Sequence, residues 1–432
     1  VNEDVKKAFE AIAAKRAGYA DLYNYYDGKQ PLVYATERLK EVFAGVEVRF
    51  TENWCAVVVD SVKERLALTG LTVKGTSQAM LGRLWEDNQL NLEADLVHEA
   101  ALITGEGFLI AWLDEEGQIQ AYFNDPRLCH AFYLSDNPRV MRCAAKMWVN
   151  DAEHYQMTLY YPDRLEYYET ENKAVNISTW QALRPMEIDS APNPYGQIPV
   201  FHFRTSQRRI KSDLVDVVPI QNGINKLMSD MMVAAEFGAF RQRYVISNVD
   251  INKLRNAPNE IWALPAGDGI GQSTQAGEFT ATELDNYLKA IEKLAGDIGQ
   301  ITRTPAHYFF RQGGDPSGEA LIAMEAPLNK KVMDRMDYFS PVWKAAGAFM
   351  LRLGGETAEV RDITPVWAPV ETVQPETKAR IRLLETQAGL PLVTVLRREG
   401  WSEAALAQLE QDRTVEGAQL GNTLLGQFDK GQ

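Results

Sequence analysis

Apolar residues recur at steps of four and three near the middle of the chain, at Leu284, Leu288, Ile291, Leu294, Ile298 and Ile301. That spacing lays one hydrophobic stripe along an α-helix. Lys289, Glu292, Lys293 and Asp297 fall on its other faces. A loop follows from Thr304 to Pro316, in which prolines and paired glycines stop the helix and the aromatics Tyr308, Phe309 and Phe310 stand together. The chain restarts at Ser317 and keeps helical character to Leu353, bent at most at Pro327 and Pro341. A helix of about 35 residues is roughly 50 Å long, more than a small domain is wide.

Helical periodicity also covers residues 3 to 26, ending in the turn Tyr25-Tyr26-Asp27-Gly28-Lys29. A second helix is predicted over Trp54 to Leu68, with Val57, Val58, Val62, Leu66 and Leu68 on one side and Gly70 closing it. A third is predicted over Asn88 to Ile103, with Leu92, Leu96, Ala100 and Ile103 inward. After Gly105-Glu106-Gly107 the period changes from helical to extended. Short strands are predicted at Phe108–Leu113, Gln118–Phe123, Ala131–Leu134, Ala144–Val149, Gln156–Tyr161 and Arg164–Glu169, separated by Asp, Gly, Asn and Pro turns. They form an antiparallel sheet or meander in an α+β domain ending near Phe203.

Helix returns over Ser212 to Phe240, where Ile220, Ile224, Leu227, Met231, Ala234 and Ala235 define one face. Ser212 or Asp213 can cap its start, and Pro219 lies near the first turns. Tyr244–Ser247 and Ile261–Leu264 read as strands of a small β unit between two helices. The tail holds a strand around Val360–Val370 and modest helices at Glu376–Gly389, Leu392–Glu399 and Ser402–Asp412, with frayed last residues. The fold class is α+β, mainly helical.

Composition adds exclusions. With 432 residues, 45% hydrophobic and 24% charged, the chain divides into two or more domains. The longest apolar run, Phe108 to Leu113, is too short to cross a bilayer, and the N-terminus lacks a secretion pattern, so a cytoplasmic, membrane-free protein is expected. Cys55, Cys129 and Cys143 are odd in number and set in apolar surroundings, which points to buried reduced thiols. A net charge of -14 repels DNA on average and argues against tight gripping of nucleic acid. Local basic clusters exist at Arg204, Arg208, Arg209 and Lys211 and at Arg241 and Arg243.

Catalytic patterns are missing from the sequence. It has no Gly-x-x-x-x-Gly-Lys-Ser/Thr loop, no His-Glu-x-x-His and no Gly-x-Ser-x-Gly. Gly267-Asp268-Gly269-Ile270-Gly271 precedes no strong helix and carries an acid where an anion would sit. His98, His130, His154, His202 and His307 fall in different elements without metal-ligand spacing. Asp114, Glu115 and Glu116 crowd a hairpin turn. Neither catalysis nor a metal or cofactor is expected.

The order of these elements has a counterpart. Tyr25-Tyr26-Asp27-Gly28-Lys29-Gln30-Pro31 and Asn53-Trp54-Cys55-Ala56-Val57-Val58-Val59-Asp60 match passages of the form Y-Y-x-G-x-x-P and N-W-x-x-x-V-V-D. Ile198-Pro199-Val200-Phe201 followed by Ser212-Asp213-Leu214 is similar to an approach to a first channel helix. Gly314-Asp315-Pro316-Ser317-Gly318-Glu319-Ala320-Leu321 is similar to a G-x-x-S-G-x-A-L start of a long helix. In this order the chain resembles the SPP1-like portal proteins of tailed double-stranded DNA bacteriophages over nearly its whole length.

That resemblance implies a ring of about twelve copies at one capsid vertex, assembled in the host cytoplasm and carried in the virion, through which double-stranded DNA enters and leaves. It implies a wing over residues 1–211 and 317–370, stem helices over 212–239 and 281–303, and a clip over 240–280. A tunnel loop over 304–316 and a crown over 371–432 complete the division. Its implied partners are the terminase large subunit, head-completion adaptors, and the major capsid and scaffolding proteins. Lys289, Lys293, Arg303 and Arg311 are then candidates for phosphate contacts, His307, Tyr308, Phe309 and Phe310 for the constriction, and Arg241, Arg243 and Trp262 for clip docking. The aromatics could instead pack under a neighbouring helix. Two other classes compete: an α+β enzyme with scattered carboxylates around Asp114 and Asp125, and a DNA-binding regulator using a helix-turn-helix over Pro391–Gln411, where Arg397-Arg398 is the one basic pair.

Overall fold

The computed structural model describes residues 3–30, 52–75, 77–174, 176–239, 243–246, 275–278, 283–310, 317–370, 375–401 and 405–415. Helix α1 (Glu3–Tyr26) directs Val5, Ala8, Phe9 and Ile12, one turn apart, into a core with the strands described below. Asp4 fixes its start by accepting two hydrogen bonds from Arg142, at 2.8 and 2.9 Å, and one from Tyr161. Helix α2 (Trp54–Lys63) is capped by Asn53, whose side chain accepts from the Ala56 N–H and donates to the Tyr26 carbonyl. It is shorter than its periodicity predicts. Leu66 and Leu68 are buried as expected, but Leu68–Val73 is strand β1, paired antiparallel with Ile363–Trp367.

Helix α3 (Gln78–Asp87), which the sequence reading did not separate from its surroundings, buries Leu81, Leu84 and Trp85. Helix α4 (Leu90–Thr104) buries Ala100 and Ile103 as predicted, together with Leu90, Ala94, Val97, His98, Ala101 and Leu102, but Leu92 and Leu96 are exposed, so the predicted inward face holds only in its second half. Gly105 ends it at φ +95°, and a Cβ there would lie 2.7 Å from the Lys211 backbone. Only glycine satisfies both the dihedral and the close approach.

The predicted meander is two sheets. Strands β2 (Glu106–Leu113), β3 (Ile119–Asn124) and β9 (Val200–Arg204) form a three-stranded antiparallel sheet in the order β3-β2-β9. Strands β4 (Cys129–Tyr133), β5 (Met141–Val149), β6 (Tyr155–Tyr160), β7 (Arg164–Thr170) and β8 (Leu183–Pro192) form a five-stranded meander. Helix α1 covers part of this second sheet through Met147, Met157 and Leu159. Phe108, Ile110 and Val200 of the first sheet pack with Ala131, Ala144 and Leu165 of the second. Alternation along β5 and β6 therefore serves two apolar layers.

Between the sheets lies a buried polar chain that sequence spacing could not reveal. Glu106 is fully buried, pairs with Lys15, and accepts a hydrogen bond from the Tyr19 hydroxyl at 2.8 Å. The His202 Nε2 lies 2.8 Å from Glu106 and its Nδ1 lies 3.0 Å from the Tyr133 hydroxyl. Burial would raise the Glu106 carboxyl, but the His202 hydrogen bond and the Lys15 charge prevail and hold it down at about 2. Burial lowers the His202 pKa. A neutral imidazole fits, donating to Glu106 and accepting from Tyr133.

Helix α5 (Val218–Ala239) precedes the antiparallel pair β10 (Arg243–Ile246) and β11 (Gln275–Glu278). The predicted strand Ile261–Leu264 and the glycine run Gly267–Gly271 lie outside the described residues. Helix α6 (Asp285–Thr302) packs against α5 and is followed by a 3-10 turn at Ala306–Tyr308. Helix α7 (Gly318–Leu353) has 36 residues and spans roughly 54 Å. Ser317 caps it by accepting from the Ala320 N–H, and both internal prolines lie within it. Its stripe Leu328, Val332, Met336, Phe339, Trp343, Ala346, Phe349 and Met350 is buried in the main core with α2, α4 and β9. At that core's centre the Trp343 indole N–H donates to His98 Nε2 at 3.0 Å, and Phe339 stacks on the imidazole. Burial pushes His98 down to about 3, so it is neutral, as an acceptor must be.

The tail narrows the predicted strand to β12 (Ile363–Trp367), followed by α8 (Pro375–Gln387), α9 (Leu392–Arg398) and a last helix, α10, over 405–415. All three cysteines are buried and reduced. The mixed helix and antiparallel-sheet content is that of an α+β protein. Among the described residues, no helix is long and apolar enough to cross a membrane.

Gly105→Ala should cost on the order of 1–3 kcal/mol from backbone strain, with a further loss from the forced shift at Lys211. Urea denaturation followed by circular dichroism measures it, and unchanged stability would contradict this account of the turn.

Candidate functional site

The helices α5, α6 and α7 meet at one carboxylate. Ser212 and Asp213 were expected to cap the helix that follows, but α5 begins at Val218 because both are engaged elsewhere. The Ser212 hydroxyl donates to the Ile103 carbonyl and accepts from the Leu214 N–H, and the Asp213 N–H donates to Leu102 at 3.0 Å. The Asp213 carboxylate lies 3.0 Å from Lys331 Nζ and 2.7 Å from Arg335 Nη2, both on α7. Arg335 also donates to the Thr205 carbonyl at 2.9 Å, and Lys331 to the Thr302 carbonyl at 3.3 Å. One cluster therefore joins the lead-in to α5, the end of α6 and the middle of α7. Burial would raise the Asp213 carboxyl, but the charges of Lys331 and Arg335 outweigh that and lower it. Neither cation carried a sequence signal: they stand four apart on a helix already rich in charge.

A second cluster holds the loop after α6. Arg65 donates to the Tyr308 hydroxyl and to Glu325, each at 2.6 Å, and the Tyr308 hydroxyl donates to Glu325 at 3.0 Å. His307 Nε2 lies 3.5 Å from the same carboxylate. Phe309 is buried, with its ring centroid 5.3 Å from that of Trp54, and it closes over Gly299. Phe310 packs partly into the same core beside Gly296, where an added Cβ would meet its ring at 3.9 Å. Of the aromatics expected at a constriction, Tyr308 and Phe309 pack within their own chain and anchor the loop. A pattern of adjacent aromatics does not distinguish a lining from an anchor.

Burial falls away along the paired helices. On α6, Ile291, Ala295 and Ile298 are buried, whereas Leu288 is 45% and Leu284 37% exposed. On α5, Gln221, Ile224, Asn225 and Ser229 are buried, and residues 230–235 are only partly covered. The candidate cations of α6 carry intrahelical partners: Lys289 pairs with Asp285 at 2.5 Å, and Lys293 pairs with Asp297. Arg303 is exposed and adopts φ +62°, the left-handed position that ends α6. Arg311, Arg241 and Trp262 lie outside the described residues, and of Arg243 only its backbone in β10 is described.

The competing sites dissolve into local structure. Asp114 accepts from the Glu116 and Gln118 N–H groups of its turn, and Asp125 forms a close pair with Arg127. In the tail, Arg382 pairs with Glu399 at 2.5 Å and Arg398 reaches Glu385 at 3.9 Å, so α8 and α9 are cross-linked by residues a DNA reader would present outward. No group of three or more His, Cys, Asp or Glu that could hold a metal occurs among the described residues.

A profile of the family described as phage portal protein, SPP1 Gp6-like, matches residues 6–396. The chain belongs to this family. Its relatives include the portal protein of Mycobacterium phage D29, 26% identical over 343 residues that cover 73% of this chain and 67% of that protein. The portal protein of Mycobacterium phage L5 is 24% identical over 407 residues, covering 86% of this chain and 77% of the other.

Asp213→Asn leaves two cations without their counter-charge and should destabilise the fold by about 3–5 kcal/mol. A carboxyl held below its ordinary 3.8 adds stability that is fully present above that value and fades as pH falls through the lowered one. Urea titrations at neutral pH and near pH 3 should therefore separate the two proteins strongly at the first and less at the second.

Proposed function

We propose that the chain is one subunit of a closed ring of about twelve copies at a capsid vertex, and that double-stranded DNA passes through its centre during packaging and ejection. The observation that carries this reading is the α5–α6 pair: the α6 stripe is buried in its middle, at Ile291, Ala295 and Ile298, and exposed at Leu284, Leu288 and Ile301. These exposed positions have the composition of a core and are only partly covered by their own chain. A head-to-tail ring supplies the cover, since every copy then presents two complementary faces.

In this reading residues 1–211 and 317–370 form the wing, 212–239 and 281–303 the stem, 240–280 the clip, 304–316 the tunnel loop and 371–432 the crown. The clip docks the terminase large subunit and then head-completion adaptors, and the wing meets the major capsid and scaffolding proteins. The helix α6 fits a lumen that passes DNA without holding it: Lys289 and Lys293 are each neutralised by an aspartate one turn away, so few counterions are released on contact. The loop beyond Phe310, including Arg311, is the part left to meet phosphates. The motor's chemistry belongs to the terminase, and this chain acts as a conduit without catalysis.

Purified protein imaged by negative stain, or weighed by native mass spectrometry, should give a ring with a central hole; a uniform monomer contradicts the reading. Deleting Arg311 to Gly314 should preserve the ring and reduce DNA packaged or retained per particle. A deletion that also removes Phe309 should lower thermal stability, because it opens the contact with Trp54.

A further inference from the structure

A cavity of about 330 Å3 opens beside the Asp213 ion pairs, where the lead-in to α5, the end of α6 and the middle of α7 meet. Lys331 and Arg335, both mostly buried, line it and share that single carboxylate, so one positive charge is left over. The Arg335 Nε is buried and lacks a hydrogen-bond acceptor. Arg303 lines the same cavity from its left-handed position. Asp216 and Asp334 line it too, but each lies within ion-pair distance of a lysine, Lys211 and Lys330 respectively. Two positive charges, one left over from the Lys331–Arg335 pair and one on Arg303, therefore have no ion-pair carboxylate of their own among the described residues.

The surroundings of the cavity indicate what kind of anion. Ile301 lines it and is 53% exposed; Ile210 and Val215, neighbours in sequence of the lining residues Lys211 and Asp216, are exposed as well. The cavity is otherwise lined by polar and charged side chains, and exposed apolar side chains beside a charged well are a surface that a protein partner covers and from which a phosphate or DNA backbone gains nothing. Acidic residues outnumber Lys and Arg by 59 to 45, so a second copy approaches with a surface rich in carboxylates.

We propose that this cavity receives an Asp or Glu side chain from the neighbouring copy, which also covers Ile210, Val215 and Ile301. The proposal rests on the ring reading and adds to it a specific acceptor. The neighbour's carboxylate completes the charge of the Lys331–Arg335 pair, so the site that orients the stem within one subunit also registers that subunit against the next.

The test uses the full chain. Arg303→Gly removes one cation and suits the local φ, Arg303→Asn is a second substitution compatible with it, and Ile301→Ser removes part of the apolar rim. Native mass spectrometry over a dilution series, circular dichroism melting of each protein, and a cryo-electron microscopy map of the wild-type ring are the measurements. The map should place a neighbour's carboxylate in the cavity. The variants should melt like wild type, and their rings should dissociate at protein concentrations about tenfold higher or more. Variant rings as persistent as wild type, or a wild-type cavity filled by solvent or an ion only, would overturn the carboxylate acceptor and leave the ring standing. A wild-type chain that remains monomeric would overturn both.

Discussion

Asp213 sits where burial alone would protonate it, yet two cations from adjacent turns of α7 keep it charged. An apolar contact between a helix and a body tolerates sliding and rotation, because the hydrophobic effect has no direction. A carboxylate held by an ammonium on one oxygen and a guanidinium on the other does not, since a displacement of an ångström or two leaves buried charge unpaired. The donations from Lys331 to Thr302 and from Arg335 to Thr205 extend that restriction to the end of α6 and the end of β9. Beyond this junction α5 is also held to the N-terminal elements, through Gln221 to the Trp54 N–H and the Glu52 carbonyl and through Asn222 to the Tyr25 hydroxyl. The direction of α5 and α6 relative to the sheets is set at their base.

The loop after α6 inherits its place from the same geometry. Thr304 and the Arg303 turn close on Gly299, and the chain then passes Phe309 into the core and Tyr308 to the Arg65–Glu325 pair. Glu325 lies on α7 before its buried stripe begins at Leu328, so the first turns of α7 and the start of the loop are held by one polar clamp. Together the two clusters give α7 polar attachments near its start and at its middle, beside its buried apolar stripe.

The parts of the fold that were legible in the sequence are those whose cause is local. Helix α7 begins at its Ser317 cap, α6 carries the stripe that its spacing predicts, and the change of period after Gly105-Glu106-Gly107 marks the passage from helix to sheet. The parts that were not legible depend on a distant partner. Leu68–Val73 continues an apolar helical pattern, and it becomes a strand because β12 supplies a ladder, with Thr69 bonded to Val366 297 residues away. Asp213 reads as a helix cap until Lys331 and Arg335 arrive from 118 and 122 residues on. Glu106 and His202 look like unrelated polar residues until β2 and β9 pair. The candidate site divides in the same way: the end of α6 was legible from the glycines and prolines that follow it, but the inward direction of Phe309 depends on Trp54, which no local pattern connects to it.

In the proposed ring, with α6 facing the lumen, a chain with a net charge of -14 beside a passing polyanion meets two opposing demands. Free lysines along the path would hold DNA, while an unrelieved acidic wall would keep it out. Pairing each α6 lysine with an aspartate one turn away meets both, because the surface stays polar and hydrated while its net field is small. The unshared cationic charge is moved off the helix face to the junction, where Lys331 and Arg335 are buried and serve contacts between parts of the protein. Charge is thus spent on fixing the helices, and the face they present is left close to neutral.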